Sequence, residues 1–315
     1  MIAADPVSMT QKADLIDLAM LSDRSIEHLL EDAAWLARLQ AEKEPLPTLR
    51  DGTTVATLFF EPSTRTRNAF LQAAHLLGAQ TLAVEAESAS IRKGESLEDT
   101  IAALEALGVD VIVLRHPQAG AAWRAAQVCV QARVINAGDG TNAHPTQALI
   151  DLFALRQRFG EIRGLKVLVL GDLLHSRVAR SDLWALHRQG AICLASGPAT
   201  LLGPLPPWVQ QVTDPDPVLP EVDAVLLLRL QRERMEEELI PSLREYRARF
   251  GMTSERAALL REEAVILHPA PVNRGVEIDD AVMRDPRTLV FRQMQIGVFV
   301  RMAALRWVMQ GGIAC

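Results

Sequence analysis

The run Glu61-Pro62-Ser63-Thr64-Arg65-Thr66-Arg67 sets hydroxyls and guanidinium groups side by side directly after the apolar stretch Val55 to Phe60. A strand, a proline turn and Ser-Thr-Arg-Thr opening a helix gather backbone N–H groups, hydroxyls and positive charge around one point, which is a site for an anion such as phosphate. A simple capping box explains one of those hydroxyls. It does not explain Ser63, Thr64, Arg65 and Thr66 in succession, so the anion site is the better reading. A second candidate is His144, which follows the glycine-containing loop Gly138 to Ala143 and precedes Gln147 by three residues. One helical turn separates the two, so they share a face. A lone histidine beside a helix start is more often satisfied locally than functional; its place at a strand end, with Gln147 beside it, favours function.

Such groups need elements to hold them. From Thr54 onward, short apolar runs alternate with helical patterns: Val55 to Phe60, Thr81 to Val84, Val109 to Leu114, Val134 to Ile135, Lys166 to Leu170, Ala191 to Leu194, Ala224 to Leu228 and Ala264 to Leu267. This alternation predicts an α/β fold of two doubly wound domains with mostly parallel sheets. Ser25 to Leu39 reads as an amphipathic helix capped by Ser25, and His144 to Phe159 as a long helix joining the domains. Gly160 to Gly164 is the expected break, Gly203 to Pro220 a long surface connection, and Gly297 to Met309 a C-terminal helix. In parallel sheets ligands bind beyond the carboxyl ends of the strands. Six of the runs end in polar clusters there, and arginine occurs in four of them: Arg65 with Arg67, Arg115, Arg177 and Arg229.

The 315 residues fit two domains of about 150 residues each. With 49% apolar and 23% charged residues, disorder and fibres are excluded. A net charge of −6 argues against a nucleic-acid or membrane surface, yet leaves room for a local cationic pocket. Cys129, Cys193 and Cys315 lack metal or disulfide spacing, which fits a reducing cytoplasm and no zinc site. The start has no signal-peptide pattern, and no apolar run reaches the roughly 20 residues that span a bilayer.

FFEPSTRTR, KGES, LRHPQ, NAGDGTNAHPTQALIDL, LRLQRER and LHPAPVNRGVEI, in this order over nearly the whole chain, resemble the catalytic chains of the aspartate carbamoyltransferase family. The resemblance implies transfer of a carbamoyl group from carbamoyl phosphate to L-aspartate in de novo pyrimidine biosynthesis, with no cofactor and no metal. It implies a carbamoyl-phosphate domain, 1–160, rejoined by the C-terminal helix within 297–315, and an aspartate domain, 161–296. Ser63, Thr64, Arg65, Thr66 and Arg115 are then expected on the phosphate, with His144, Gln147 and the backbone at Pro271 on the carbamoyl group. Arg65, Thr66, Arg115 and His144 become the catalytic set. Arg177 is expected on the α-carboxylate of aspartate, and Arg229 with Gln231 on the β-carboxylate. By the same resemblance Lys93 reaches a neighbouring subunit's site, making a homotrimer the active unit, and Glu61 bridges to Arg234. Ala89 stands where relatives carry a serine for the phosphate; Ser90 is the substitute, and Ser88 the second choice. His116 and His268 are read as structural, and His175 as a turn residue near the site. Larger assemblies with a regulatory chain or another pyrimidine enzyme remain open.

Three rivals are weighed. Ornithine carbamoyltransferase shares the anion site, but its Ser-Met-Gly and His-Cys-Leu-Pro motifs are absent. An inactive scaffold is disfavoured because only Ala89 departs from the pattern. A dehydrogenase is excluded by the lack of GxGxxG.

Overall fold

The eight apolar runs become parallel strands, and with one added edge strand they make nine in two sheets, interleaved with helices; the computed structural model describes residues 12–85, 94–231 and 239–312, and the nine strands are those of the described residues. The first half holds α1 (Asp23–Glu42), β1 (Thr54–Phe59), α2 (Thr64–Leu76), β2 (Gln80–Glu85), α3 (Leu97–Ala106), β3 (Val111–His116), α4 (Ala121–Val128), β4 (Arg133–Asp139) and α5 (Pro145–Phe159). The second holds β5 (Lys166–Leu170), α6 (Arg177–Arg188), β6 (Ile192–Ser196), α7 (Ala199–Leu202), β7 (Gln210–Gln211), β8 (Ala224–Leu227), α8 (Leu243–Phe250), α9 (Ser254–Leu259), β9 (Val265–Leu267) and α10 (Val290–Met309). The sheet orders are β2-β1-β3-β4 and β7-β6-β5-β8-β9.

Strands β1, β3 and β5 are buried on both faces, the signature of parallel strands covered by helices on both sides. Val55, Val113 and Ile135 face a core completed by α1, α2, α5 and α10, while Ala56, Ile112 and Val134 face α3 and α4. The first of these cores runs on into the second sheet through Val167, Val169 and Leu226. α10 packs on α1, α2 and α5, so the end of the chain closes the half that the start of the chain opened.

Three expectations are corrected. Ser22, not Ser25, caps α1: its hydroxyl accepts from the Ser25 N–H, and Ser25 lies buried inside the first turn. α10 begins at Val290 rather than Gly297. The stretch Gly203 to Pro220 is more than a connection, since Gln210 and Gln211 add an edge strand and Asp216–Glu221 forms a 3-10 turn. No described helix is long and apolar enough to cross a membrane. Cys129 and Cys193 are buried and free; Cys315 lies outside the described residues.

Candidate active site

The register of the first sheet places the first wall. Phe59 pairs with Arg115, and the N–H of Phe60 donates to the Arg115 carbonyl at 2.8 Å. The chain therefore leaves β1 beside the Arg115 guanidinium and turns through Pro62 into α2. Ser63 occupies the N-cap position, but its hydroxyl accepts no hydrogen bond from the helix. A plain cap would engage that hydroxyl; here it stays available beside the first N–H groups of α2. Thr66 is buried and Arg65 stands at the exposed rim.

β4 carries an extra residue against β3, since Leu114 pairs with Asn136 and His116 with Asp139. Bulges of this kind re-aim side chains near sites. Here the loop that follows is tied by side chains: Asp139 accepts from the Gly120 N–H at 2.7 Å and from Asn136 Nδ2 at 2.8 Å, and Asn136 Oδ1 accepts from the Gly138 N–H at 2.8 Å. The loop delivers His144 to the start of α5, where its ring makes no cap bond and its backbone N–H donates to Ser181 Oγ at 2.9 Å. His144 is buried; burial first, then the charges of Arg177, Arg115 and Arg301, hold its pKa well below the usual imidazole range. It is a neutral ring, able to donate one N–H without bringing a charge.

The second wall comes from the second sheet. Ser176 caps α6, and Arg177 in its first turn is 4% exposed. Its Nη2 donates to Glu61 Oε2 at 2.6 Å and its Nη1 to the Gly140 carbonyl at 3.2 Å. The same Glu61 oxygen accepts from Arg115 Nε at 3.1 Å, so one carboxylate orients a guanidinium from each half. Gly138 makes room for this arrangement: its φ is +113°, and a Cβ there would stand 2.8 Å from Arg177 Nε. Beyond β8, the Gln231 N–H donates to Asp172 Oδ2 at 3.3 Å and its Nε2 to the His175 carbonyl at 3.0 Å, leaving the second amide hydrogen for a ligand. Partial burial, then the facing charge of Arg229, draws the Arg65 pKa down. The two guanidinium groups belong to opposite walls of one cleft and disfavour each other's charge, which an anion bound in that cleft would offset.

Glu61 and the side chains it orients line one cleft of about 630 Å³ at the carboxyl ends of both sheets. It brings together Ser63, Thr64, Arg65, Thr66, Arg115, His144, Gln147, Arg177, Arg229, Gln231 and Pro271, the last beyond a cis Ala270–Pro271 peptide. Lys93, Ser90, Ser88, Ala89 and Arg234 lie outside the described residues. His116 stays out of the cleft lining, packed on Phe60, with Nδ1 accepting from the Gln118 N–H; His268 reaches the lining while its Nδ1 accepts from the Ala270 N–H. His175 hydrogen-bonds Asp172 through Nδ1.

Arg301 of α10 also lines the cleft, and the sequence reading missed it. It is 5% exposed, lies over the Phe70 ring at 5.3 Å and donates to the Gly297 carbonyl at 2.8 Å. Burial pulls its pKa down to about 10. The available signal is an arginine in the middle of the otherwise apolar run Ile296 to Leu305, a position that sequences seldom fill with charge unless it is used.

Two doubly wound halves that meet at one cleft, with guanidinium groups on both walls and a neutral imidazole between, suit the transfer of a group between two anionic substrates. The model of the aspartate/ornithine carbamoyltransferase carbamoyl-P binding domain matches residues 13–157, and that of the Asp/Orn binding domain of the same family matches residues 163–308. The chain is 48% identical over 297 residues to the aspartate carbamoyltransferase catalytic subunit of Chloroflexus aurantiacus, covering 92% of this chain and 96% of that protein. It is 46% identical over 302 residues to the corresponding subunit of Desulforudis audaxviator, covering 95% and 98%. Among solved structures it resembles aspartate transcarbamoylase of Trypanosoma cruzi in complex with carbamoyl phosphate and aspartate, with a TM-score of 0.86, 31% identity and coverage of 98% and 99%. The chain belongs to the aspartate/ornithine carbamoyltransferase family.

Proposed function

We propose that the chain transfers the carbamoyl group of carbamoyl phosphate to L-aspartate, giving N-carbamoyl-L-aspartate and phosphate. The observation that carries this reading is the convergence of Arg65 and Arg115 from one half and Arg177, Arg229 and Gln231 from the other on a single cleft whose first wall opens on a helix N-terminus. Carbamoyl phosphate brings about two negative charges and aspartate two carboxylates. The first wall takes the phosphate on Ser63, Thr64, Arg65, Thr66 and Arg115; the second takes the α-carboxylate on Arg177 and the β-carboxylate on Arg229 and Gln231. Residues up to 160 with helix α10 (Val290–Met309) form the carbamoyl-phosphate half, and 161–289 the aspartate half.

The amine attacks the carbonyl carbon, a C–N bond forms, the C–O bond to phosphate breaks, and the departing phosphate takes the ammonium proton. Charge gathers on the carbonyl oxygen as the amine adds. Donors fixed there, from Thr66, Arg115 and His144, each lower the barrier by about 2.7–4 kcal/mol. Because His144 is neutral, its N–H meets the growing charge without prior ion pairing. Gln147 and the Pro271 carbonyl receive the carbamoyl NH2. The rest of the rate comes from holding two anions in contact, which they would not do unaided.

The family resemblance supports a cytoplasmic homotrimer in pyrimidine synthesis, with Lys93 and Ser90 serving a neighbour's site. The test is the purified chain with carbamoyl phosphate and either L-aspartate or L-ornithine, following carbamoylated product and released phosphate. Product with aspartate alone is expected. Product with ornithine alone overturns the assignment of Arg229 and Gln231.

A further inference from the structure

Behind Gln147 lies a pair of carboxyl groups that the carbamoyl transfer does not use. Asp151, one turn further along α5, is 3% exposed, and Asp182 of α6 is 1% exposed. The two side chains meet where α5 and α6, from the two halves, pack together. Asp151 Oδ1 accepts from Gln147 Nε2 at 3.0 Å and from Gln293 Nε2 of α10 at 2.6 Å. Asp151 Oδ2 and both oxygens of Asp182 are buried and receive no hydrogen bond from any other described group.

Two facing carboxylates in a dry interior repel each other and bear the full cost of desolvation, whereas a carboxylic acid facing a carboxylate makes a strong hydrogen bond. Among the described residues no cation offers an alternative. Around the pair, β6 contributes Cys193, α10 the uncharged Gln293, and the start of α5 the neutral His144; the Glu27–Arg156 pair lies at the far end of α5, and Arg301 is turned onto Phe70. Burial, and for Asp182 also the neighbouring carboxyl, raises both acids above the usual carboxylate range. Two amide donors on Oδ1 make Asp151 the charged member, which leaves the proton on Asp182.

We propose that Asp151 and Asp182 hold one proton between them and act together as positioning residues for Gln147. The anionic Asp151 draws the amide nitrogen of Gln147 onto itself, so the amide oxygen is the end turned to the cleft. That oxygen accepts from the NH2 of a carbamoyl group and disfavours a substrate with an acceptor in the same place. The inference rests on the carbamoyl-transfer reading for its substrate, but the shared proton stands apart from it.

The test compares Asp182→Asn with Asp182→Ala. The asparagine variant keeps an N–H for Asp151 Oδ2, so KM for carbamoyl phosphate stays within about twofold of wild type, while the alanine variant removes the donor and raises it about tenfold or more. Equal losses in the two variants overturn the proposal, as does an alanine variant with unchanged KM. A second measurement needs no activity. The folded pair keeps a proton that the unfolded chain releases above about pH 4, so wild-type stability falls as pH rises through that window. The asparagine variant cannot carry the Asp182 proton. Its urea midpoint, relative to wild type, is expected to climb from about pH 5 to about pH 8, and a difference that is flat with pH overturns the shared proton. If wild type carbamoylates neither aspartate nor ornithine, the functional reading fails, and the urea series still decides the proton.

Discussion

Glu61 is the sharpest place to perturb the site, because a single oxygen organises both walls. Glu61→Gln keeps an acceptor where Oε2 stands and removes only its charge. The contacts at stake include those to Arg177 Nη2 at 2.6 Å and Arg115 Nε at 3.1 Å. A hydrogen bond to a charged partner is worth about 1.5–3 kcal/mol and a neutral one about 0.5–1.5, so each contact loses roughly 1 kcal/mol. The Arg177 side chain is 5% exposed and retains that full value; Arg115 and Glu61, at 17% and 19%, are partly screened. The sum is about 1–2 kcal/mol, or a roughly 5- to 30-fold fall in kcat/KM. Steady-state carbamoylation with aspartate varied at saturating carbamoyl phosphate reads it, with urea unfolding in parallel to separate lost structure from lost orientation. Glu61→Ala falls further, because it removes the acceptor as well as the charge, and breaking a buried ion pair costs about 3–5 kcal/mol. Wild-type kcat/KM in the glutamine variant would refute the view that Glu61 sets the two arginines.

His144→Ala is expected to lower kcat by about a hundredfold or more through loss of one oxyanion donor. With His144 held neutral by burial, the acid limb of the wild-type kcat profile should not report a group near the ordinary imidazole value of about 6.5. Gly138→Ala puts a methyl 2.8 Å from Arg177 Nε, so KM for aspartate should rise about tenfold or more while calorimetric phosphate affinity changes less. Glu105 accepts from the N–H groups of Val130, Gln131 and Ala132; burial pushes its pKa up, but the three bonds together outweigh burial and hold it low. Its contribution is therefore present above about pH 4.3 and lost as pH falls further, so the gap between wild type and Glu105→Gln in urea midpoint should close in acid.

The strand ends and their polar clusters are legible in the sequence because parallel strands are continuous apolar runs, and whatever breaks such a run lies at a site-forming edge. The hidden parts share a cause, which is that their burial pattern is not periodic. The first turns of α10 carry Phe291, 60% exposed, and Met294, 37% exposed, on faces where a soluble helix would be polar, so the amphipathic signal starts only after Gly297. β4 runs on through Asn136, Ala137, Gly138 and Asp139, all buried but neither apolar throughout nor β-branched. The Glu61 fork joins positions far apart in the chain, and no local pattern reports such a contact. Neither does the pairing of Asp151 with Asp182: from sequence alone each is an ordinary helical acid.

The return of α10 has a consequence for how the chain matures. Ile296, Val300, Met302, Leu305 and Val308 fill the core that α1, α2 and α5 line, and each buried side chain of this kind is worth about 1.5–3 kcal/mol. A ribosome delivers that helix only after the whole second half has emerged, so the half made first waits with its apolar flank uncovered while the half made second folds. The order of completion is the reverse of the order of synthesis. Arg301 and Gln293 arrive on the same helix, so the cleft gains its last lining groups in the step that seals the first core.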